Sequence, residues 1–492
     1  MATTDVTGAA PTPSQKNWLS RFFDAKSRGS TQRIEFIAGL TTFVTMAYII
    51  FVNTDIMSAS GLNPTALVIG TIFAAAVPTL VMGLWADLPW ALAPGLGYNA
   101  LFAFTVVLQN HVPVNAALAL VFLDGLAFTL IVAGPWRERI ITGIPLNLKI
   151  AAGAGIGLFI AFIGLGNAGI VKFNPTTALK SGVAVPVNSG FGLPQLSTLN
   201  DPVVVVALAG LVLTGLLMAL RVRGALLLGI IGTTVFAWGT ALIKPETRAA
   251  LLPGISNPTG IASFAKLPDF GTFFSQGVGR TNFVTLFNGT VALGTIILFF
   301  STFLVTDMMD SLGTFSGLAA KLGILDDKGN FPRSGRALVV DATAGMWGPL
   351  TGNATIATFI ESASGVGEGG KTGIASVWTA GFFLLALFFV PFVGLVPPAA
   401  TAPVLIVVGY LMLEPIVKLN LSDPTDGIPA FLALLAMPLT FSIADGMFLG
   451  IVSYVALKLL TGKVRAISVT MWAFAVLLLL AKFLQAGFIK IG

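Results

Sequence analysis

The 492-residue chain is 55% hydrophobic and only 10% charged, with 55 glycines and a mean hydropathy of +0.91; so much apolar surface excludes a water-soluble globule and specifies an all-α polytopic membrane protein. The lack of cysteine excludes disulfides, thiolate catalysis and cysteine zinc sites, and one histidine excludes a histidine-rich metal centre, so no metal or cofactor is expected. A net charge of +6 fits basic residues in short cytoplasmic loops, and no basic cluster is interleaved with aromatics as a nucleic-acid surface requires.

Residues 1–33 are polar and basic (Lys16, Arg21, Lys26, Arg28, Arg33) and lack the apolar core of a signal peptide. They read as a cytoplasmic tail, either disordered or docking a short helix at the lipid surface. Apolar segments follow at 34–53, 65–84, 90–109, 114–133, 146–169, 202–220 and 224–243, a series of seven. A polar connection over 244–283, rich in Pro, Gly and Thr, leads to a second seven at 284–319, 335–348, 351–366, 372–395, 402–419, 428–444 and 446–461. Within the C-terminal piece 462–492, residues 467–489 are apolar again, either a fifteenth span or a helix lying in the interface.

An odd number of spans reverses orientation, so two sevenfold series predict inverted repeats, 34–243 and 284–461, about an in-plane axis. Segments 335–348 and 351–366 are short for a 20-residue crossing, and the third segment is broken by Pro94, Gly95 and Gly97. The stretch Pro94-Gly95-Leu96-Gly97-Tyr98-Asn99-Ala100 is read as the counterpart of Pro349-Leu350-Thr351-Gly352-Asn353-Ala354-Thr355. Each is a non-helical strip leading into a half-helix, and two half-helix N-termini would aim partial positive charge at one point. The duller reading is two unrelated kinked helices. With the N-terminus inside, Arg137, Arg139, Arg221, Arg223, Lys321, Lys328, Arg333, Arg336, Lys463 and Arg465 all fall on the cytoplasmic side.

Asp307 and Asp310 stand three residues apart on one face of the eighth segment. A carboxylate near mid-bilayer costs roughly 2.5–3.5 kcal/mol on insertion scales, so such residues face a cavity or a partner.

Three stretches together resemble one family, the AzgA-like purine permeases of the nucleobase/ascorbate transporters. They are Ala93 to Ala100 (APGLGYNA), Thr306 to Thr314 (TDMMDSLGT) and Thr358 to Val366 (TFIESASGV), followed by Gly369-Gly370-Lys371-Thr372-Gly373. Glu35 to Asn53 and Pro438 to Gly462 extend the resemblance over nearly all of 34–465. It implies fourteen spans divided into a core domain (spans 1–4 and 8–11) and a gate domain (5–7 and 12–14), with the core moving against a dimeric gate scaffold in the cell membrane. It also implies short strands in spans 3 and 10 holding a nucleobase, which brings Gly97, Tyr98, Asn353 and Ala354 to the substrate. By the same resemblance Asn99, Asp307, Asp310 and Glu361 match positions of substrate recognition and coupling, and Phe359 one where a ring contacts the base.

The chemistry fits those residue types independently. A purine edge offers acceptors and N–H donors, and a carboxyl can pair with it as charged acceptor or protonated donor. Paired carboxyls in a desolvated site, Asp307, Asp310 and Glu361, suit proton carriage. One proton carries about 2.3 kcal/mol per 100 mV and about 1.4 per pH unit, enough for a few hundred-fold accumulation.

Competing readings stay open. Asp310 could bond inside the core, Asn99 could satisfy freed backbone groups, and Asp124 and Asp341 read as structural partners. His111 reads as an exposed loop residue, Phe382, Phe383, Phe388 and Phe389 as packing or lipid-facing surface, and Gly153, Gly155 and Gly157 as close helix packing. The chain departs from the family pattern at Leu96 and Tyr98, commonly Met and Leu, and at Asn353 and Ala354, commonly Thr and Ser. Those changes alter the hydrogen-bond inventory at the base, so a purine is favoured without choosing among adenine, guanine and hypoxanthine. Uracil or xanthine transport and sodium coupling are the alternatives. An enzyme would need a nucleophile, base or metal cluster that these carboxylates lack, and a channel would need a repeated pore strip in an oligomer.

Overall fold

The computed structural model describes residues 23, 25, 27–134, 143–174, 177–180, 183–186, 193–253, 268–326 and 331–488. Lys16, Arg21, Lys26, Arg137, Arg139 and Lys328 lie outside these, as do most of the tail 1–33, residues 254–267 of the polar connection and 489–492.

The first span is Gln32–Met46 (α1) continued by Ile49–Ser58 (α2), interrupted at Ala47 and Tyr48. Pro64–Val81 (α3) starts where the sequence asks: Asn63 accepts from Thr65 N at 2.9 Å and Ala66 N at 3.2 Å, and Pro64 occupies the first turn. One π-helical turn, Met82–Ala86, ends this span, and Asp87 follows in the left-handed region at φ 51°. Strand Leu92–Pro94 (β1) leads into Leu96–Ala100 (α4), which widens into π-helix over Leu101–Gln109. His111 is exposed, with φ 53°, in the turn before Val114–Ala133 (α5), as an exposed loop residue should be. Leu146–Asn167 (α6) follows. Next come the short strands Val171–Asn174 (β2), Thr177–Lys180 (β3), Val183–Pro186 (β4) and Leu193–Leu196 (β5), paired antiparallel as β2 with β5 and β3 with β4. Apolar-run counting does not detect these connecting strands, because they are too short and mixed to stand out.

Pro202–Ala219 (α7) and Ala225–Ile243 (α8) close the first series. The connection then forms only short helical turns, such as Phe270–Gln276 and Phe283–Phe287, so the eighth span, Leu293–Leu322 (α9), begins later than expected. Ser334–Leu350 (α10), Ile356–Thr358 (β6), Ser362–Gly367 (α11), Gly373–Leu385 (α12), Pro398–Met412 (α13), Pro424–Thr440 (α14), Ile443–Leu460 (α15) and Val469–Gln485 (α16) complete the chain.

Among the described residues ten helices are long and apolar enough to cross a membrane. The other four segments of the two predicted series are the strand-and-helix pieces around β1 and β6, α10, and α14, which carries Pro429 and Pro438 inside it. α1 packs on α12, α5 on α10, and α6 on both α13 and α14. Gly157 and Gly155 lie at the α6 contacts, where an added Cβ would stand 2.8 Å from Gly409 O and 2.7 Å from Met437 Sδ; Gly153 meets nothing within 4 Å. The packing account therefore holds for two of the three glycines.

Asp87 is a staple at one end of the bundle. It accepts from Arg28 Nη2 at 2.6 Å, from Arg333 Nη1, and from Gly373 N at 2.8 Å, while Arg223 pairs with Glu368 at 2.7 Å. Three of the basic residues expected in the loops and tail of one side thus hold acidic partners.

α16 runs along the bundle instead of lying flat across its end. Ser468 Oγ donates to Gly143 O at 2.5 Å at one end of α16, and Gln485 Nε2 donates to Thr295 Oγ1 at 3.3 Å at the other. Between them Met471, Leu478 and Ala481 are buried against α9 and α15, and Lys482 pairs with Asp445 at 2.6 Å. This geometry predicts a C-terminus on the face opposite to Ser468. A phosphatase fused after Gly492 should therefore be active on the side opposite to one fused after Thr461, and equal activity at both positions would contradict a crossing.

Candidate functional site

Two strands of three residues meet inside the bundle. β1 pairs antiparallel with β6 in the register Leu92↔Thr358, Ala93↔Ala357 and Pro94↔Ile356, and both strands are fully buried. Phe359 N continues the ladder to Ala91 O at 2.9 Å and Gly95 N to Thr355 O at 3.0 Å. The expected equivalence of 94–100 with 349–355 is therefore displaced. The paired strips are 92–94 and 356–358, Pro349 belongs to the last turn of α10, and Gly352, at φ 78°, turns the chain before the second strand. Proline and glycine mark where the helices break, while the ladder runs through Pro94, which closes β1, and on to Gly95 N.

A two-stranded ribbon at this depth has edges that water cannot satisfy, and side chains do so instead. Thr79 Oγ1 accepts from Leu92 N at 2.8 Å and donates to Leu92 O at 3.1 Å, and Ser362 Oγ accepts from Ala91 N at 2.9 Å. On β6, Asp341 Oδ1 accepts from Thr358 N at 2.8 Å and Thr358 Oγ1 at 2.7 Å, while its other oxygen accepts from Ser311 Oγ at 2.5 Å. Asp341 is the structural partner expected of it.

The candidate carboxyls fall into two settings. Glu361, in the turn after β6, is half-buried and accepts from the Tyr48 hydroxyl at 2.7 Å. Asp310, on α9, is half-buried and accepts from the Tyr98 hydroxyl at 3.3 Å, a hydroxyl that also lies 3.3 Å from Thr306 O. Two of the chain's four tyrosines are thus placed on two of the three candidate carboxyls. Tyr98 packs over Gly95, and Gly97 faces Ile156, whose Cγ2 would lie 2.6 Å from an added Cβ, so α4 can approach α6 only with glycine there. Phe359 is nearly buried beside Glu361, and Ile360 is exposed. Asp307 is 1% exposed, and neither of its oxygens has a hydrogen-bond partner.

The three asparagine and alanine candidates lie deeper. Asn99 donates to Asn53 Oδ1 at 2.5 Å, and Asn53 donates to Asn353 Oδ1 at 2.7 Å and to Thr71 Oγ1 at 2.6 Å. Asn353 also donates to Thr351, and Ala354 is fully buried. This chain of amides ties spans 1, 2, 3 and the turn before β6 together. Asn53, Thr79 and Tyr48 were not singled out from sequence. An amide at Asn53 in an apolar run signals a buried partner, whereas nothing local distinguishes Tyr48.

Residues 33–448 match the model of the Permease family. The adenine permease AdeP of Escherichia coli K12 is 35% identical over 455 residues, covering 92% of this chain and 94% of that protein. The guanine/hypoxanthine permease PbuO of Bacillus subtilis 168 is 36% identical over 466 residues, 94% of this chain and all of PbuO. In fold the chain is similar to the transmembrane domain of a cyanobacterium bicarbonate transporter, BicA, with a TM-score of 0.59 at 14% identity, covering 84% of this chain and 97% of that one. With a family model matched over 33–448 and full-length permease relatives above 30% identity, the chain belongs to the permease family of nucleobase/ascorbate transporters, and it is a transporter, not an enzyme.

Proposed function

We propose that this permease imports purine nucleobases by proton symport, the base lying between β1–α4 and β6–α11 against Glu361, Asp310, Tyr98, Phe359 and the Gly97 backbone. The observation that carries it is the pair of tyrosine–carboxyl contacts flanking the β1–β6 ribbon. Each half-buried carboxyl keeps acceptor capacity beyond the hydroxyl it already accepts from, which a purine N–H edge can use. The printed substrates of AdeP and PbuO favour a purine, and the acidic set with no basic side chain hydrogen-bonded to it disfavours an inorganic anion. Asp307, Asp310 and Glu361 carry the proton. In this reading Asn99, Asn353 and Ala354 fix the strips against which the base is held. No cofactor takes part.

The two contacts also support the inverted architecture. Tyr48 of span 1 reaches Glu361 of span 10, and Tyr98 of span 3 reaches Asp310 of span 8, so exchanging the repeats maps one pair onto the other with donor and acceptor swapped. On that basis the chain has fourteen spans in repeats 34–243 and 284–461, a core of spans 1–4 and 8–11, and a gate of spans 5–7 and 12–14. α16 follows them as an added crossing. The protein sits as a homodimer in the cell membrane with its N-terminus in the cytoplasm, and the core moves past the gate as an elevator.

The test is uptake of labelled adenine, guanine, hypoxanthine and uracil into proteoliposomes with and without an inward proton gradient. Purine accumulation that collapses with the gradient is the expected result. Accumulation driven by a sodium gradient alone would replace the proton, and uracil uptake without purine uptake would replace the substrate.

A further inference from the structure

Two carboxyls in the interior are left unexplained by a base-facing role. Asp124 on α5 and Asp307 on α9 are 0% and 1% exposed, and none of their four oxygens has a hydrogen-bond partner. Asp341, equally buried, is satisfied by three donors, so burial alone does not produce this state. Asp124 directly precedes Gly125, and Gly125 packs on Gly345, the same residue that Asp307 Oδ2 approaches from α9.

The surroundings converge on one spot. α5 and α10 touch through Gly125 and Gly345, and a Cβ built on Gly345 would stand 3.3 Å from Gly125 Cα, 3.8 Å from Asp307 Oδ2 and 3.7 Å from Thr355 Cγ2. Thr355 is fully buried, and its hydroxyl too has no partner. An uncompensated carboxylate in such surroundings costs several kcal/mol, and a second beside it raises that cost, so the pair must take up a proton or a cation. None of the ion pairs among the described residues reaches either carboxyl. Nor do three acidic or imidazole groups gather there as a divalent metal would ask, which leaves a monovalent cation.

We infer that Asp124 and Asp307, with the Thr355 hydroxyl, form the site of the coupling cation, either a proton shared between the carboxyls or Na+. The site lies behind the base-facing residues. α9 links the two, since Asp310, one turn on from Asp307, carries the Tyr98 hydroxyl of the base strip. The inference rests on the transport reading and adds Asp124, as a new member, to the coupling carboxyls Asp307, Asp310 and Glu361.

The experiment uses the full chain in proteoliposomes and separates base exchange from base accumulation. Asp124→Asn should leave exchange of labelled for unlabelled adenine measurable with equal ions on both sides. Concentrative uptake should fall from up to about tenfold per pH unit to no concentration at all. Separate pH and Na+ gradients applied to the wild type identify the cation. Thr355→Val provides a second variant that keeps both carboxyls, and it should raise the cation concentration for half-maximal accumulation about tenfold. Wild-type accumulation by Asp124→Asn overturns the site, as does loss of exchange together with accumulation in folded protein. Wild type that exchanges base but accumulates none under either gradient overturns coupled transport itself, and the cation site with it.

Discussion

Glu361→Gln removes concentrative purine uptake while leaving the protein folded. The carboxylate sits in the turn after β6, half-buried, and accepts from the Tyr48 hydroxyl at 2.7 Å. Gln preserves the shape and one acceptor but can neither carry charge nor take a proton. A hydrogen bond to a charged group contributes about 1.5–3 kcal/mol, so base affinity should fall roughly 10- to 150-fold before any loss of coupling is added. Tyr48 acts through Glu361, fixing where the carboxyl points. Tyr48→Phe should therefore weaken affinity about tenfold in the wild-type background and change little further in a Glu361→Ala background, where the acceptor it orients is gone. Equal effects of Tyr48→Phe in both backgrounds would show that Tyr48 serves the fold or the base directly. Binding of labelled purine to detergent-purified variants, alongside proteoliposome uptake, separates affinity from transport.

What could be read from the sequence follows from how membrane depth punishes polar groups. The broken third segment was visible because Pro94, Gly95 and Gly97 cannot continue a helix, and the short segments near 350 were visible by length. Their pairing was not, because proline and glycine show where a helix breaks but not which neighbouring residues pair, and the ribbon forms at 92–94 and 356–358, Pro94 included, instead of at the matched letters. The acidic residues of α9 were legible as a site, but not the division between them. Asp310 and Asp307 lie three residues apart, yet one is half-buried under a tyrosine and the other is fully enclosed opposite Asp124. Asp124 and Asp341 are alike as letters in apolar runs. Only the fold shows that one collects three donors and the other none. Tyr48 was unreadable for a related reason: its partner is 313 residues away, and its local sequence looks like packing.

That difference between Asp341 and Asp124 sets the largest expected effect on stability. Asp341→Ala leaves three buried donors, Thr358 N, Thr358 Oγ1 and Ser311 Oγ, without their acceptor. It also cuts a side chain that joins α9, α10 and β6. Unmade buried hydrogen bonds cost about 1–3 kcal/mol each, and partial relaxation of the two hydroxyls brings the expected total to about 3–5 kcal/mol. The backbone N–H of Thr358 cannot relax in the same way, because it is held in the ladder opposite Leu92. Asp341→Asn should be milder, since its amide oxygen still accepts from Thr358 while its nitrogen meets the Ser311 hydroxyl, which can turn to accept. Asp124→Asn removes no hydrogen bond and puts a neutral side chain of the same shape where the carboxyl needs a proton or cation, so it should hold or raise the melting temperature. The order of thermal stability in detergent is then Asp124→Asn at or above wild type, Asp341→Asn below it, and Asp341→Ala lowest or failing to fold. An Asp341→Ala protein as stable as wild type would mean that the ribbon edge finds another acceptor, and that β6 is held in place by packing instead.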